Sequence, residues 1–454
     1  MAPRMTSPPS PSKKLVYLYL LLVFPIAATL IYVPKLNAAV QARGTDLRPT
    51  LHPAEIRDGQ TALALRLAKH LAPASSNSTN NGNVAFSPVS IHGALSLVAA
   101  GARGATLDQL LAFLGAPSAA GLADFGRRII HRVLADRAAS GGPTVLFSSG
   151  IWVDVSRGGL NKAFRDVAVQ SYKSSVTRTM NFTDQPGQVA EAINSWVRIA
   201  TNNLIIDSNI TANDIRAAGT DLLLANAVYF KAKWANPFQA YHTQPDTFHR
   251  LDGTRVQAQF MSHTMYGLHY ASSVDGFKVL KLPYNHGRDD AASHARYSMY
   301  LFLPDQRQGM TNMVGAIAAG PDYLYTALPK TAVHEAITVR LPKFQIRFDW
   351  DLDSDLRLLG LSLPFSPESA DLQGICDKNH HGRPTFLHKL LHKAVVKVDE
   401  DGTEAAAAVT MPSFSSGMQP PPIQFVADHP FTFFIMEERS GLIVFAGHVL
   451  DPTN

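Results

Sequence analysis

Residues 400–410 read EDGTEAAAAVT, from Glu400 to Thr410. Alanine favours helices and is a poor strand former. Yet Gly402 on one side and Pro412 on the other leave room for barely two helical turns, and so short a helix is marginal in water. Upstream, HKAVVKVD (392–399) is valine-rich and reads as a strand; downstream, MPSFSSGMQPPP (411–422) reads as an exposed loop. The alanines therefore need an explanation other than local secondary structure.

The chain has 454 residues, 46% hydrophobic and 17% charged, with a mean hydropathy of −0.02. That is enough apolar material for one large core or two ordinary ones. The formal charge of +5 is small for this length. No dense block of Lys and Arg stands out, so the pI of 9.1 does not argue for a nucleic-acid partner. With the single cysteine Cys376 no internal disulfide forms, and a lone cysteine reads first as a small apolar residue.

The N-terminus reads separately. Residues 1–14 are rich in Pro and Ser and carry Arg4, Lys13 and Lys14. Residues 15–33 carry no charge, and as a helix they would span about 28 Å, close to a bilayer core. The length favours an uncleaved anchor over a cleaved signal, with residues 1–50 as anchor and stalk and residues 51–454 as the globular domain. The expected location is a membrane or the secretory pathway and extracellular space, with the cytoplasm as the alternative.

Along the body, QTALALRLAKHLA (60–72) has helical spacing, and VAF (84–86) is strand-like before a Ser-Pro helix start. EAINSWVRIATNNLI (191–205) is an amphipathic helix, and DLLLANAVYFKAKW (221–234) is a strand buried on both faces. Strands follow at 277–284 and 297–305, a strand pair and a helix at 336–361, and two apolar strands within 425–452. Helices dominate the first half and strands the second, an α+β class.

Catalytic motifs are missing: there is no G-x-S-x-G, H-E-x-x-H or Walker loop. Cys376, His380, His381, His388 and His392 cluster along the sequence, but their spacing is not that of a zinc site. Asp428-His429-Pro430 suggests an Asp–His pair, but adjacent residues rarely reach triad geometry, so a turn is the better reading. These residues point to no enzyme, no metal and no cofactor.

Six separated segments carry a resemblance: FSPVSI (86–91), NSWV (194–197) with Thr201 and Ile205, LANAVYFKAKWANPF (224–238), LPKF (341–344), the stretch from His392-Lys393 to VDEDGTEAAAA (398–408), and ADHPF to GHVLDP (427–452). In order and spacing they resemble the serpins over residues 60–454, and FVADHPF (425–431) is most similar to plant members. The N-terminal apolar run departs from those members, most of which lack a leader.

The resemblance implies three β-sheets, about eight or nine helices and an exposed reactive-centre loop near 400–424. It implies a monomeric suicide-substrate inhibitor of serine, or cysteine, endopeptidases, whose cleaved loop inserts into the main sheet. A non-inhibitory binding, storage or chaperone protein is the alternative. The alanines then become a strand only after cleavage. With side chains alternating, Thr403, Ala405, Ala407 and Val409 fall on one face and Glu404, Ala406 and Ala408 on the other. Small uncharged inward residues slide in easily, and Gly402 after Glu400 supplies the bend. Family spacing places the reactive bond about seventeen residues on from Glu400, at Ser416–Gly417, a reach of roughly 55 Å as a strand. Small serines suit elastase-like or subtilisin-like proteases. Cleavage between Phe414 and Ser415 would suit papain-like ones, and Phe414 or Met418 as bait chymotrypsin-like ones. Ser87, Ser90, Asn226 and His392 match the polar cluster that controls sheet opening, and Trp234 matches the point where insertion begins.

Overall fold

A computed structural model of the chain describes residues 54–73, 82–203, 210–216, 221–273, 275–287, 295–377, 384–402 and 420–454. Thr403, Glu404, Ala405, Ala406, Ala407, Ala408, Ser416 and Gly417 lie outside these residues, as does the 15–33 run. Among the described residues no helix is long and apolar enough to cross a membrane.

Ten α-helical segments are described: α1 (Ala54–Leu71), α2 (Pro88–Gly101), α3 (Gly104–Leu114), α4 (Ala119–Arg128), α5 (Lys162–Tyr172), α6 (Pro186–Ala200), α7 (Ala212–Ile215), α8 (Met310–Ile317), α9 (Pro321–Ala327) and α10 (Asp353–Leu358). The strands are β1 (Val84–Phe86), β2 (Thr144–Asp154), β3 (Ser174–Met180), β4 (Leu222–Lys231), β5 (Gln244–His249), β6 (Arg255–Met265), β7 (His269–Ser273), β8 (Phe277–Pro283), β9 (Tyr297–Pro304), β10 (Ile337–Pro342), β11 (Phe344–Asp351), β12 (Leu387–Val398), β13 (Ile423–Val426), β14 (Phe431–Glu437) and β15 (Ile443–Val449).

The strands form three sheets, as the resemblance implies: β1-β15-β14-β9-β8-β7, β13-β10-β6-β5 and β11-β12-β4-β2-β3. In the five-stranded sheet β12 and β4 run parallel, while β11–β12 and β4–β2 are antiparallel. The two faces of this sheet divide the molecule. Leu222, Leu224, Val228 and Phe230 of β4 point into the main core, whereas Leu223, Ala225 and Ala227 point to a second cluster under α6. That alternation is the period of two of an extended chain, and it explains why the strand is apolar throughout.

α2 is buried on nearly every side, packed on β4 and on β15 of the six-stranded sheet. It starts where the sequence places it, because Ser87 caps the Ser90 amide and Pro88 occupies the first turn. α1 begins two turns earlier than the apolar spacing indicates. Glu55, Arg57 and Asp58 mask that first stretch, although Ile56 and Gln60 are buried.

At the far end of β4, Arg157 donates to Asp221 at 2.7 Å, with both side chains buried. Removing one partner leaves a buried charge unpaired. Arg157→Met should therefore cost about 3–5 kcal/mol, read as a lower urea midpoint, whereas the double change Arg157→Met with Asp221→Leu should recover most of that loss.

Candidate functional site

The seam between β4 and β12 lies at the centre of the five-stranded sheet. Its rungs run from Leu222–Leu387 to Tyr229–Val395. Beyond that last rung β4 stays paired to β2 as far as Lys231, and β12 stays paired to β11 as far as Val398. The seam therefore ends before the strands do.

At mid-seam Asn226 and His392 are register partners, both facing the main core. His392 Nδ1 lies 2.5 Å from Asn226 Oδ1, and the Ser87 amide donates to His392 Nε2 at 3.0 Å. Since Nε2 accepts, the proton of the neutral ring sits on Nδ1 and is donated to Asn226. Asn226 Nδ2 in turn donates to the Ser90 carbonyl at 3.3 Å. The structure thus brings Ser87, Ser90, Asn226 and His392 together under the seam. Ser90 Oγ is buried there without a hydrogen-bond partner among the described residues. Burial, aided by the nearby Lys393, pushes the His392 imidazole down to about 3.

Trp234, Glu400 and Gly402 form a second group at the mouth of the seam. The Trp234 amide donates to the Asp401 carbonyl at 3.1 Å, and its indole Nε1 donates to the Asp399 carbonyl at 3.0 Å. The Phe238 amide donates to the Glu400 carbonyl at 2.9 Å. Gly402 has φ +81°, and a Cβ there would sit 2.3 Å from the Trp234 nitrogen. Only glycine satisfies both demands. Trp234 itself is fixed by stacking on Tyr284, with ring centroids 4.5 Å apart.

Two residues that sequence reasoning missed hold Glu400. Thr243 Oγ1 donates to it at 2.8 Å and Lys343 Nζ pairs with it at 2.8 Å. Burial alone would raise the Glu400 carboxyl, but Lys343, the backbone amide of Glu400 itself and Thr243 together outweigh it and hold the carboxyl below its ordinary range. Lys343 belongs to the LPKF segment; nothing local in that segment reveals its partner.

The remaining suspects do no visible chemistry. Burial pushes the Cys376 thiol up to about 12, so it stays a neutral thiol at physiological pH. His388 and His392 lie on one strand, about 13 Å apart along it, and no group of three ligand-type residues able to hold a metal occurs among the described residues. Against expectation, Asp428 and His429 do meet, with Oδ1 and Nδ1 2.7 Å apart. However, His429 Nε2 faces the Pro304 carbonyl at 2.8 Å, where a nucleophile would have to stand. The pair fixes a turn.

The low His392 value has a consequence with a definite sign. An opened or unfolded state takes up a proton below the ordinary value near 6.5, whereas the closed seam does so only near 3. Stability is therefore full above 6.5 and falls as pH drops toward 3, by about 1.4 kcal/mol per unit. His92 and His448, each pushed down to about 4 by burial, act in the same direction. Unfolding free energies from urea titrations at pH 7.5 and pH 5 should differ by about 2 kcal/mol from His392 alone. His392→Gln should be less stable at pH 7.5 yet flatter with pH; an unchanged slope would contradict the assignment.

Comparison with known proteins supplies the context. A family profile described as serpin (serine protease inhibitor) matches residues 58–452. Serpin-ZXA of Oryza sativa subsp. japonica is 43% identical over 395 residues, covering 87% of this chain and 96% of its own. Serpin-Z1B of Triticum aestivum is 41% identical over 395 residues, covering 87% and 95%. The Arabidopsis protein AtSerpin1, solved in its native stressed conformation, superposes with a TM-score of 0.77 at 35% identity, covering 90% of this chain and all of that one. The fold, the family profile and these plant relatives agree, and this chain belongs to the serpins, a family of protease inhibitors rather than of catalysts.

Proposed function

We propose that this chain is a suicide-substrate inhibitor of serine endopeptidases, with papain-like cysteine proteases as the other target class. The observation that carries the reading is the parallel pairing of β4 and β12, with β12 leading straight into the alanine-rich stretch at Gly402. A strand that turns back at Gly402 and enters the seam runs antiparallel to both neighbours. One slanted parallel ladder is exchanged for two antiparallel ones, which are slightly more stable per residue.

In the proposed reaction the protease serine Oγ attacks the Ser416 carbonyl carbon. The Ser416–Gly417 peptide bond breaks, and the Gly417 nitrogen leaves with a proton. An ester now joins the protease to Ser416, and the freed segment from Thr403 onward enters the seam before water hydrolyses that ester. Thr403, Ala405, Ala407 and Val409 would face inward, with Glu404, Ala406 and Ala408 outward. Trp234 and Gly402 mark the entrance. The Ser87–Ser90–Asn226–His392 group supports such an opening: its bonds cross the seam, and Ser90 Oγ offers a spare partner. The uncharged 15–33 run supports membrane attachment or secretion, with a cytoplasmic location as the alternative.

The test is incubation of the full chain with elastase-like, subtilisin-like, chymotrypsin-like and papain-like proteases, read on a denaturing gel and by mass spectrometry. A covalent complex with release of a peptide beginning at Gly417 is expected; a different first residue moves the bond along the loop. Ala407→Arg should leave cleavage intact and reduce complex yield about tenfold or more, because a charge must enter the core. Cleavage by all four without any complex would favour the binding or storage reading, to which the Ser-Gly bait and Pro420–Pro422 are also suited.

A further inference from the structure

The sheet face opposite the main core carries α6, and the two do not close on each other along their whole length. Between α6 and strands β2 and β3 lies a cleft of about 780 Å³, within the range of about 300–1,000 Å³ that holds small ligands. Trp196 of α6 and Met180 of β3 form its apolar floor. Trp152 backs this floor, edge-on to Trp196 with centroids 5.3 Å apart. Ile199 stands at the rim, 77% exposed, although its apolar neighbours Ile193 and Val197 on the same helix are buried.

The polar groups of the cleft are unequal. Arg178 lies two residues before Met180 on β3 and so shares its face. It is exposed, and its guanidinium makes no hydrogen bond or ion pair among the described residues. Glu191, on the α6 wall, is already engaged: Ser195 Oγ donates to it at 2.8 Å and Arg198 at 2.7 Å. One guanidinium is thus free and the carboxylate opposite is not. None of these residues belongs to the seam or its mouth.

We propose that this cleft binds an amphipathic monocarboxylate, with its apolar body against Trp196 and Met180 and its carboxylate on Arg178. The planar fork of a guanidinium matches a carboxylate through two parallel N–H···O bonds. The apolar floor favours a hydrocarbon or aromatic body over a sugar or phosphate. The one free guanidinium pairs with one carboxylate, which sets a monocarboxylate against a diacid. Such a ligand would also cover Ile199.

The test uses the full, uncleaved chain and laurate as probe, so it does not depend on the inhibitor reading. Tryptophan fluorescence reports on Trp196 and Trp152, and the thermal midpoint reports stabilisation by mass action. Saturable binding of laurate is expected, about tenfold or more weaker for dodecanol and for Arg178→Met, since each removes the charged pair. Ala192→Phe, which fills the cleft without altering its charge, should abolish binding. Midpoints without laurate verify that both variants are folded. Equal affinity for laurate and dodecanol, unchanged binding in Arg178→Met, or no saturable binding at all would overturn the proposal.

Discussion

β4 and β12 lie side by side at the centre of a sheet and run in the same direction. Backbone bonds between parallel strands are slanted and slightly weaker than those of an antiparallel pair. On either outer side the two strands are held by antiparallel ladders to β2 and β11. The sheet therefore has a weaker line through its middle, bounded by stronger ones. Everything near that line fits the constraint: an apolar strand on each side, a polar group at the centre and a glycine turn at the open end.

The polar group shows how such a line is held closed by directional bonds. A fully apolar contact would close it without directional bonds. Here the Ser87 amide and Asn226 hold the two nitrogens of one neutral imidazole, and each bond is worth about 1 kcal/mol net. The cost of leaving these groups unpaired is larger than the gain from pairing them, so the closed state is specific. The mouth is held differently. Bonds from the Trp234 amide and indole and from the Phe238 amide, with the Lys343 ion pair, fix Asp399, Glu400 and Asp401 in place, so that Gly402 stands at a defined point beside Trp234.

Much of the fold was legible in the sequence because the deciding strands are buried on both faces and read as apolar runs: β4, β12, β14 and β15 stand out for that reason. β2 did not, since Ser148, Ser149 and Gly150 look like a turn. In the sheet Gly150 is small because the Trp152 ring lies over it; a Cβ there would be 2.3 Å from that ring. β5 and β6 escaped notice because much of each is exposed. For the site, motif resemblance singled out Ser87, Asn226 and His392, but only the register reveals that residues 166 positions apart share a bond. Thr243 and Lys343 carry no local signal at all, because their role exists only once Glu400 is folded against them.

The most direct test of the proposal that the β4–β12 seam is where a strand enters is the unfolding midpoint of the full chain before and after a single cut between residues 403 and 419. If the cut segment enters the seam, the midpoint rises by roughly 10 °C or more, and amide exchange in β4 and β12 slows together. An unchanged or lower midpoint, with exchange along the seam as before, would contradict the account.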